Sequence, residues 1–224
     1  MKHRGLIVGA GRIGAGYKWH DDGYTHAGAY QAMRDRVELV GFVEPDIDRA
    51  VAAKAKWCVP VYEDMPTALF ALKPDVVSVC TPPEHHEVAV NWLTEQSDVE
   101  GIWVEKPFDT KEYRAVPPWV QVNYMRRADP LHRKVAQTEP GGLLTVYGKS
   151  DIHTVCHFQD LARWWRAKLD YRTYDGPCAY VYGGTGETRF FDKGGVDGGS
   201  CFRGMLENLM NAMEGRERLW SPPA

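Results

Sequence analysis

The stretch "GLIVGAGRIGAG", Gly5 to Gly16, decides the fold. Its opening residues form a short apolar run that glycines close. Gly9, Gly11 and Gly14 stand in G-x-G-x-x-G spacing, with Arg12 and Ile13 inside the motif. The physical use of this spacing is a strand-to-helix turn. One glycine turns tightly, one lets backbone approach a pyrophosphate, and one lets the following helix pack closely on the strand. The pattern alone is weak because glycines are common. Here it directly follows an apolar strand, which is the context that a dinucleotide site requires.

Working outward, "VELVGFVEPD", "PDVVSVCTPP" and "VEGIWVEKP" are further short apolar runs, each stopped by proline. Helical compositions such as "DIDRAVAAKAKW" and "EHHEVAVNWLTEQ" separate them, with Val88, Trp92 and Leu93 as candidate core contacts. Buried strands alternating with helices predict a doubly wound α/β domain built on a parallel sheet. The composition changes after Pro107. "GLLTVYGKSD", "CAYVYGG" and "ETRFFDKGG" read as strands, "TVCHFQDLARWWRAKL" and "CFRGMLENLMNAMEG" as helices. The expectation is a Rossmann-type domain over 1–117, then a smaller α+β domain over 118–224 with a mostly antiparallel sheet. The boundary falls near Pro117 and Pro118.

The 224 residues carry a formal net charge of -3, which offers no basic footprint for nucleic acid. No apolar run reaches the roughly 20 residues that a membrane span needs. The five cysteines, Cys58, Cys80, Cys156, Cys178 and Cys201, are scattered and form no C-x-x-C. That argues against a zinc site or a disulfide framework and for reduced thiols in a cytoplasmic protein.

Several residues suit chemistry at the edge of such a sheet. Glu44 ends the second apolar run, where a carboxylate accepts from ribose hydroxyls and repels a 2′-phosphate. This favours NAD over NADP; a solvated strand end is the plainer alternative. Its interval from the glycines exceeds the usual 20 or so residues. The excess is "GYKWHDDGY", Gly16 to Tyr24, expected as a lid-like insertion. Thr81, Pro82 and His86 follow the strand that ends near Cys80, at the carboxyl edge where ligands bind. Glu105 and Lys106 end the next strand, and a buried unpaired charge there costs several kcal/mol. His157 and Asp160 are one helical turn apart, so they can face one cleft or form a surface capping pair. Arg126 and Arg127, read as neighbours on an extended strand, point to opposite faces. An exposed ion pair explains them simply; an anionic substrate is the sharper reading.

In combination, "GLIVGAGRIGAG", "VCTPPEHH", "WVEKP", "VNYMRRADP" and "HFQDLARWW" resemble the Gfo/Idh/MocA oxidoreductases, in the order that family shows. The resemblance covers most of Met1 to Pro107 and is patchier beyond, where the second domain is shorter than usual. It implies that Gly9, Gly11 and Gly14, with Arg12 and Ile13, hold the pyrophosphate of NAD. Glu44 resembles the ribose-binding acid, and Thr81, Pro82, His86 and Glu105 lie beside the cofactor. Lys106 approaches the nicotinamide and the substrate hydroxyl, and His157 and Asp160 approach that substrate from the second domain. His26 resembles a histidine the family carries at the start of its first helix. The implied reaction is hydride transfer at a carbinol carbon of a sugar, nucleotide-sugar or cyclitol. The implied assembly is a homodimer through the second sheet, and no metal is called for. Two rivals remain open: a cofactor-binding sensor without catalysis, and an NAD-dependent lyase or epimerase without net redox change.

Overall fold

The computed structural model describes residues 2–19, 21–96, 98–108, 119–138, 141–148, 151–174, 179–183, 188–192 and 197–222. The expected boundary at Pro117 and Pro118, and Cys178, lie outside the described residues. The chain forms two compact units. The first comprises Met1–Asn123 and Gly198–Ala224, the second Tyr124–Asp197.

The first unit is built on strands β1 (His3–Val8), β2 (Val37–Val43), β3 (Val61–Tyr62), β4 (Val76–Val79), β5 (Gly101–Val104) and β6 (Val120–Val122). They lie in the order β3-β2-β1-β4-β5-β6, and every pairing is parallel. All four residues of β4 and of β5 are buried, as parallel strands covered on both faces require. The order reverses beside β1, so β1 and β4 diverge at their carboxyl ends and open the crevice where such sheets bind ligands. Helices α1 (Arg12–Ala15), α2 (His26–Ala32), α3 (Ile47–Trp57), α4 (Met65–Leu72) and α5 (His86–Gln96) connect the strands. Asp46 caps α3 by accepting from the Arg49 N–H, and Asp64 caps α4 by accepting from the Thr67 N–H. In α5 the buried stripe is Ala89, Val90 and Leu93. Val88, expected in the core, is 69% exposed because it lies off that stripe.

The helix after the glycine motif runs for one turn only. Gly16 ends it in the left-handed region at φ 73, and a 3-10 turn at Asp22–Tyr24 precedes α2. Within the inserted segment Asp22 pairs with Lys56, and just before it the Ala15 carbonyl accepts from Trp57 Nε1.

The second unit holds α6 (Pro130–Thr138), β7 (Leu143–Gly148), α7 (Ile152–Trp164), β8 (Lys168–Thr173), β9 (Ala179–Gly183) and β10 (Thr188–Asp192). Its sheet has the order β10-β9-β7-β8. β7 pairs antiparallel with β9, and β9 with β10, whereas β7 and β8 are parallel because α7 crosses between them. Leu144, Val146, Phe158, Leu161, Trp165 and Tyr180 make its core.

The final helix, α8 (Gly198–Met213), belongs to the first unit and not to the second, against the expected division at 117. The reason is its apolar face. Phe202, Met205, Leu206, Leu209 and Met210 are buried, and α8 packs on α2 and β5. The chain beyond it continues beside β6, where Val122 N–H donates to the Ser221 carbonyl. Among the described residues no helix is long and apolar enough to cross a membrane.

The tightest backbone contact in the glycine turn generates a test. A Cβ on Gly14 would lie 2.0 Å from the Gly9 carbonyl oxygen. Gly14→Ala therefore forces the turn and α1 apart, with an expected loss of about 1–3 kcal/mol. Urea unfolding measures it, and unchanged stability would show that the helix does not need this approach.

Candidate active site

The glycine turn divides its labour among three residues. Gly9 has φ +98, and a Cβ there would meet the Cys80 carbonyl oxygen at 2.7 Å. It makes the turn and keeps it against the end of β4. A Cβ on Gly11 would meet nothing within 4 Å, so space is open above it. Gly14 permits the close packing already described. Close turn, open approach and close helix are the three conditions a dinucleotide pyrophosphate needs, and the residues present fit it. Arg12 lies at the rim with its guanidinium 4.0 Å above the Trp19 ring, and Ile13 is half-buried beside it.

Glu44 reaches back to this turn from the end of β2. Its Oε2 accepts from the Ala10 N–H at 2.8 Å, and its Oε1 accepts from the Asp46 N–H at 3.1 Å. The carboxylate is buried and 4.0 Å from the Arg49 guanidinium. An ionised carboxylate has about four acceptor positions, so two backbone bonds leave capacity for ligand hydroxyls.

The loops after β4 and β5 are tied to each other. The buried His86 ring lies between two carbonyl oxygens, with Nε2 2.8 Å from Thr81 O and Nδ1 3.1 Å from Pro107 O. His86 thus lies between these loops, and its ring N–H donates to one of the two carbonyls according to the tautomer. Thr81 Oγ1 is buried without a hydrogen-bond partner, and Pro82 leads into a 3-10 turn at Pro83–His85. The Lys106–Pro107 peptide is cis, and Lys106 is half-buried. Cys80 is buried, and burial with the nearby Glu105 charge pushes its thiol well above the ordinary range. It is a core residue, as its position at the end of an apolar run implies.

Glu105 answers the problem of a charge at the end of a buried strand. Its Oε1 lies 3.0 Å from His26 Nε2 and also accepts from the Asn123 amide. His26 is fully buried, 3.8 Å from the Trp103 ring centroid and edge-on to Phe202 of α8. Burial raises the carboxyl, but His26, Lys106 and Asn123 outweigh it and hold Glu105 below the usual carboxylate range. Glu105 is therefore occupied by His26 of α2 and by Asn123 after β6, an anchor beside Lys106, which accounts for the adjacent carboxylate without making it catalytic.

A family model described as an oxidoreductase family with an NAD-binding Rossmann fold matches residues 4–117. The chain belongs to the Gfo/Idh/MocA oxidoreductases. The match spans the glycine turn, Glu44, the Thr81 loop and Lys106, and ends before the second unit begins. A search of the curated proteins found no match to the sequence. Among solved structures, the chain is similar to a UDP-N-acetylglucosamine 3-dehydrogenase from Acidithiobacillus ferrooxidans, with 16% identity and TM-score 0.73, covering 99% of this chain and 92% of that one. It is similar to a myo-inositol dehydrogenase from Corynebacterium glutamicum, with 13% identity and TM-score 0.70, covering 96% and 89%. It is also similar to the WlbA dehydrogenase from Bordetella pertussis, solved with NADH and UDP-GlcNAcA, with 17% identity and TM-score 0.70, covering 99% and 91%. At these identities the likeness establishes the fold. The family supplies the rest: this is an NAD-dependent oxidoreductase.

In the second unit of this oxidoreductase, His157 and Asp160 lie on α7, but their surroundings differ. Asp160 is buried and gripped by Arg127, whose Nε and NH2 donate at 2.9 and 2.6 Å. Burial pushes its carboxyl up, against Arg127 and Arg163. His157 is half-buried, with the Tyr124 ring edge-on at 6.2 Å. Asp160 is an ion-pair anchor rather than an open acid. Arg126 and Arg127 do not alternate along a strand; both sit in a 3-10 turn at Met125–Ala128. The strand ends at Val122, Asn123 bonds Glu105 through its side chain, and the 3-10 turn follows. Sequence reasoning missed Asp129 and His132, although an Asp before Pro130 is a helix-start signal. Asp129 Oδ1 accepts from the Leu131 and His132 N–H groups and lies 2.7 Å from His132 Nδ1.

The Glu105 site gives a pH prediction. Its folded-state pKa is depressed, so its contribution to stability is present above the unfolded value, near 4.5, and is lost as pH falls through the folded one. Glu105→Gln should be less stable than wild type at pH 7 and should lose less on acidification below about pH 4.5. Urea unfolding at stepped pH measures both. Parallel curves for the two proteins would remove Glu105 from the acid transition.

Proposed function

We propose that the enzyme transfers hydride between nicotinamide and a carbinol carbon of a sugar, nucleotide-sugar or cyclitol. Lys106 is the residue that exchanges the hydroxyl proton. The observation that supports it is the end of β5, where the strand delivers Lys106 to the carboxyl edge beside the Thr81 loop while Glu105 turns away into His26 and Asn123.

Bound NAD supplies the hydride acceptor or donor. The chain supplies the rest. The glycine turn approaches the pyrophosphate, and Glu44 takes ribose hydroxyls and disfavours a 2′-phosphate. Oxidation of an alcohol needs a base as hydride leaves, and a lysine can serve where its surroundings favour the neutral form. Within the second unit His157 is the candidate for proton exchange, with Asp160 holding Arg127 instead of joining the chemistry. The second sheet leaves Leu143 46% and Tyr147 37% exposed, which suits a homodimer through this sheet. The free thiols Cys58 and Cys80 suit a reducing cytoplasm.

Lys106→Met keeps chain length and removes the charge. Turnover with an accepted polyol or nucleotide-sugar should fall by about 10²–10⁴ with NADH affinity retained. Full turnover in this variant would overturn the role of Lys106.

Cofactor choice is tested separately by titrating NADH and NADPH. NADH should bind more tightly, and Glu44→Ser should narrow the gap. Tighter NADPH binding to the wild type would overturn the assignment of Glu44.

A further inference from the structure

Two adjacent arginines of the second unit have opposite environments. Arg127 spends its charge on Asp160. Arg126 has no carboxylate within ion-pair distance among the described residues. Its NH1 donates to the Tyr180 hydroxyl at 3.1 Å, its Nε is buried without a partner, and its guanidinium lies 5.1 Å from the Phe158 ring and 5.3 Å from the Tyr180 ring. A half-buried guanidinium held by aromatic rings and a hydroxyl keeps its positive charge available to an anionic group from outside the chain.

The groups behind Arg126 fix its direction. His132 is buried, with Nδ1 2.7 Å from Asp129 and Nε2 2.6 Å from the Tyr180 hydroxyl. Burial favours the neutral ring, with the Arg126 charge adding to it against Asp129. A neutral ring donates from Nδ1 to Asp129 and accepts at Nε2 from the Tyr180 O–H. The Tyr180 oxygen is then left to accept from Arg126. Asp129 itself accepts from the Leu131 and His132 N–H groups at the start of α6 and lies beside His132 Nδ1, with no ion pair to Arg126 among the described residues. The guanidinium is held in place yet not neutralised. It lies against Phe158 of α7, and the turn that carries it follows Tyr124, whose ring is edge-on to His157 of the same helix.

We propose that Arg126 recognises an anionic group of the substrate, a carboxylate or a phosphate, so that the enzyme takes acidic or phosphorylated sugars in preference to neutral ones. The planar guanidinium fork matches both groups geometrically. This rests on the sugar-oxidoreductase reading above and narrows its substrate class.

The experiment is calorimetric titration of the NADH-loaded enzyme with three matched pairs: D-glucuronate and D-glucose, UDP-glucose and D-glucose, myo-inositol 1-phosphate and myo-inositol. In at least one pair the charged member should bind about tenfold tighter or more. Arg126→Gln should weaken that binding by about 10–100-fold, and Arg126→Lys should restore part of it. A gain confined to glucuronate identifies a carboxylate, and a gain confined to the other two pairs identifies a phosphate. Equal binding within every pair, no binding of any charged member, or unchanged affinity in Arg126→Gln would overturn the proposal. So would an equal loss of NADH affinity in that variant, because the arginine would then serve the cofactor. Oxidation of a neutral polyol without any charge preference would sink the anion assignment and leave the oxidoreductase reading standing. Failure of the wild type to bind NADH would instead count against that reading.

Discussion

The Glu105 carboxylate is the constraint around which the first unit is assembled. An ionised side chain ends a strand buried on both faces, and leaving it unpaired there would cost several kcal/mol. The chain answers from two directions. His26 arrives from the first position of α2, and Asn123 from the residue after β6. Three elements distant in sequence must therefore be in register at one oxygen atom. Phe202 closes over His26, which is why α8 returns to this unit after the chain has built the other. Lys106, the next residue along, inherits a backbone fixed by those contacts.

How much of this was legible depends on how local each cause is. The glycine turn could be read because its requirements lie within six residues: a positive φ at Gly9, open space over Gly11 and close approach at Gly14. The buried strands of the parallel sheet could be read because burial on both faces leaves continuous apolar runs. The course of Arg126 and Arg127 could not. No glycine or proline stands between Trp119 and Asp129, so the alternation of "WVQVN" reads onward as strand. Where the pattern stops, the Asn123 side chain makes a long-range bond to Glu105 and a 3-10 turn follows. The same holds for α8, whose apolar spacing marks a helix but not the surface it covers.

The candidate site divides in the same way. Residue types at the carboxyl edge were visible, but the uses of their side chains were not. His86 and Glu105 stand in loop motifs that suggest ligand contact, yet their polar atoms meet carbonyls, His26 and Asn123. Asp160 stands beside His157 in a catalytic-looking pair, yet it closes on Arg127. In each case spacing identifies which groups reach a region, while hydrogen-bond partners decide which of them remain available there.

The two carboxylates at this edge show why that distinction matters. Glu44 is held by the N–H groups of Ala10 and Asp46, which are backbone donors that neither titrate nor rotate away. Glu105 is held by side chains, His26 and Asn123, whose positions depend on the packing of α2, α8 and β6. A carboxylate fixed by backbone keeps its geometry when a ligand arrives or leaves, and it can add ligand bonds without losing its own. A carboxylate fixed by side chains stabilises those elements only while they remain packed together. Glu44 is thus suited to the exchangeable cofactor and Glu105 to the permanent scaffold, although both are acidic residues at the end of a parallel strand.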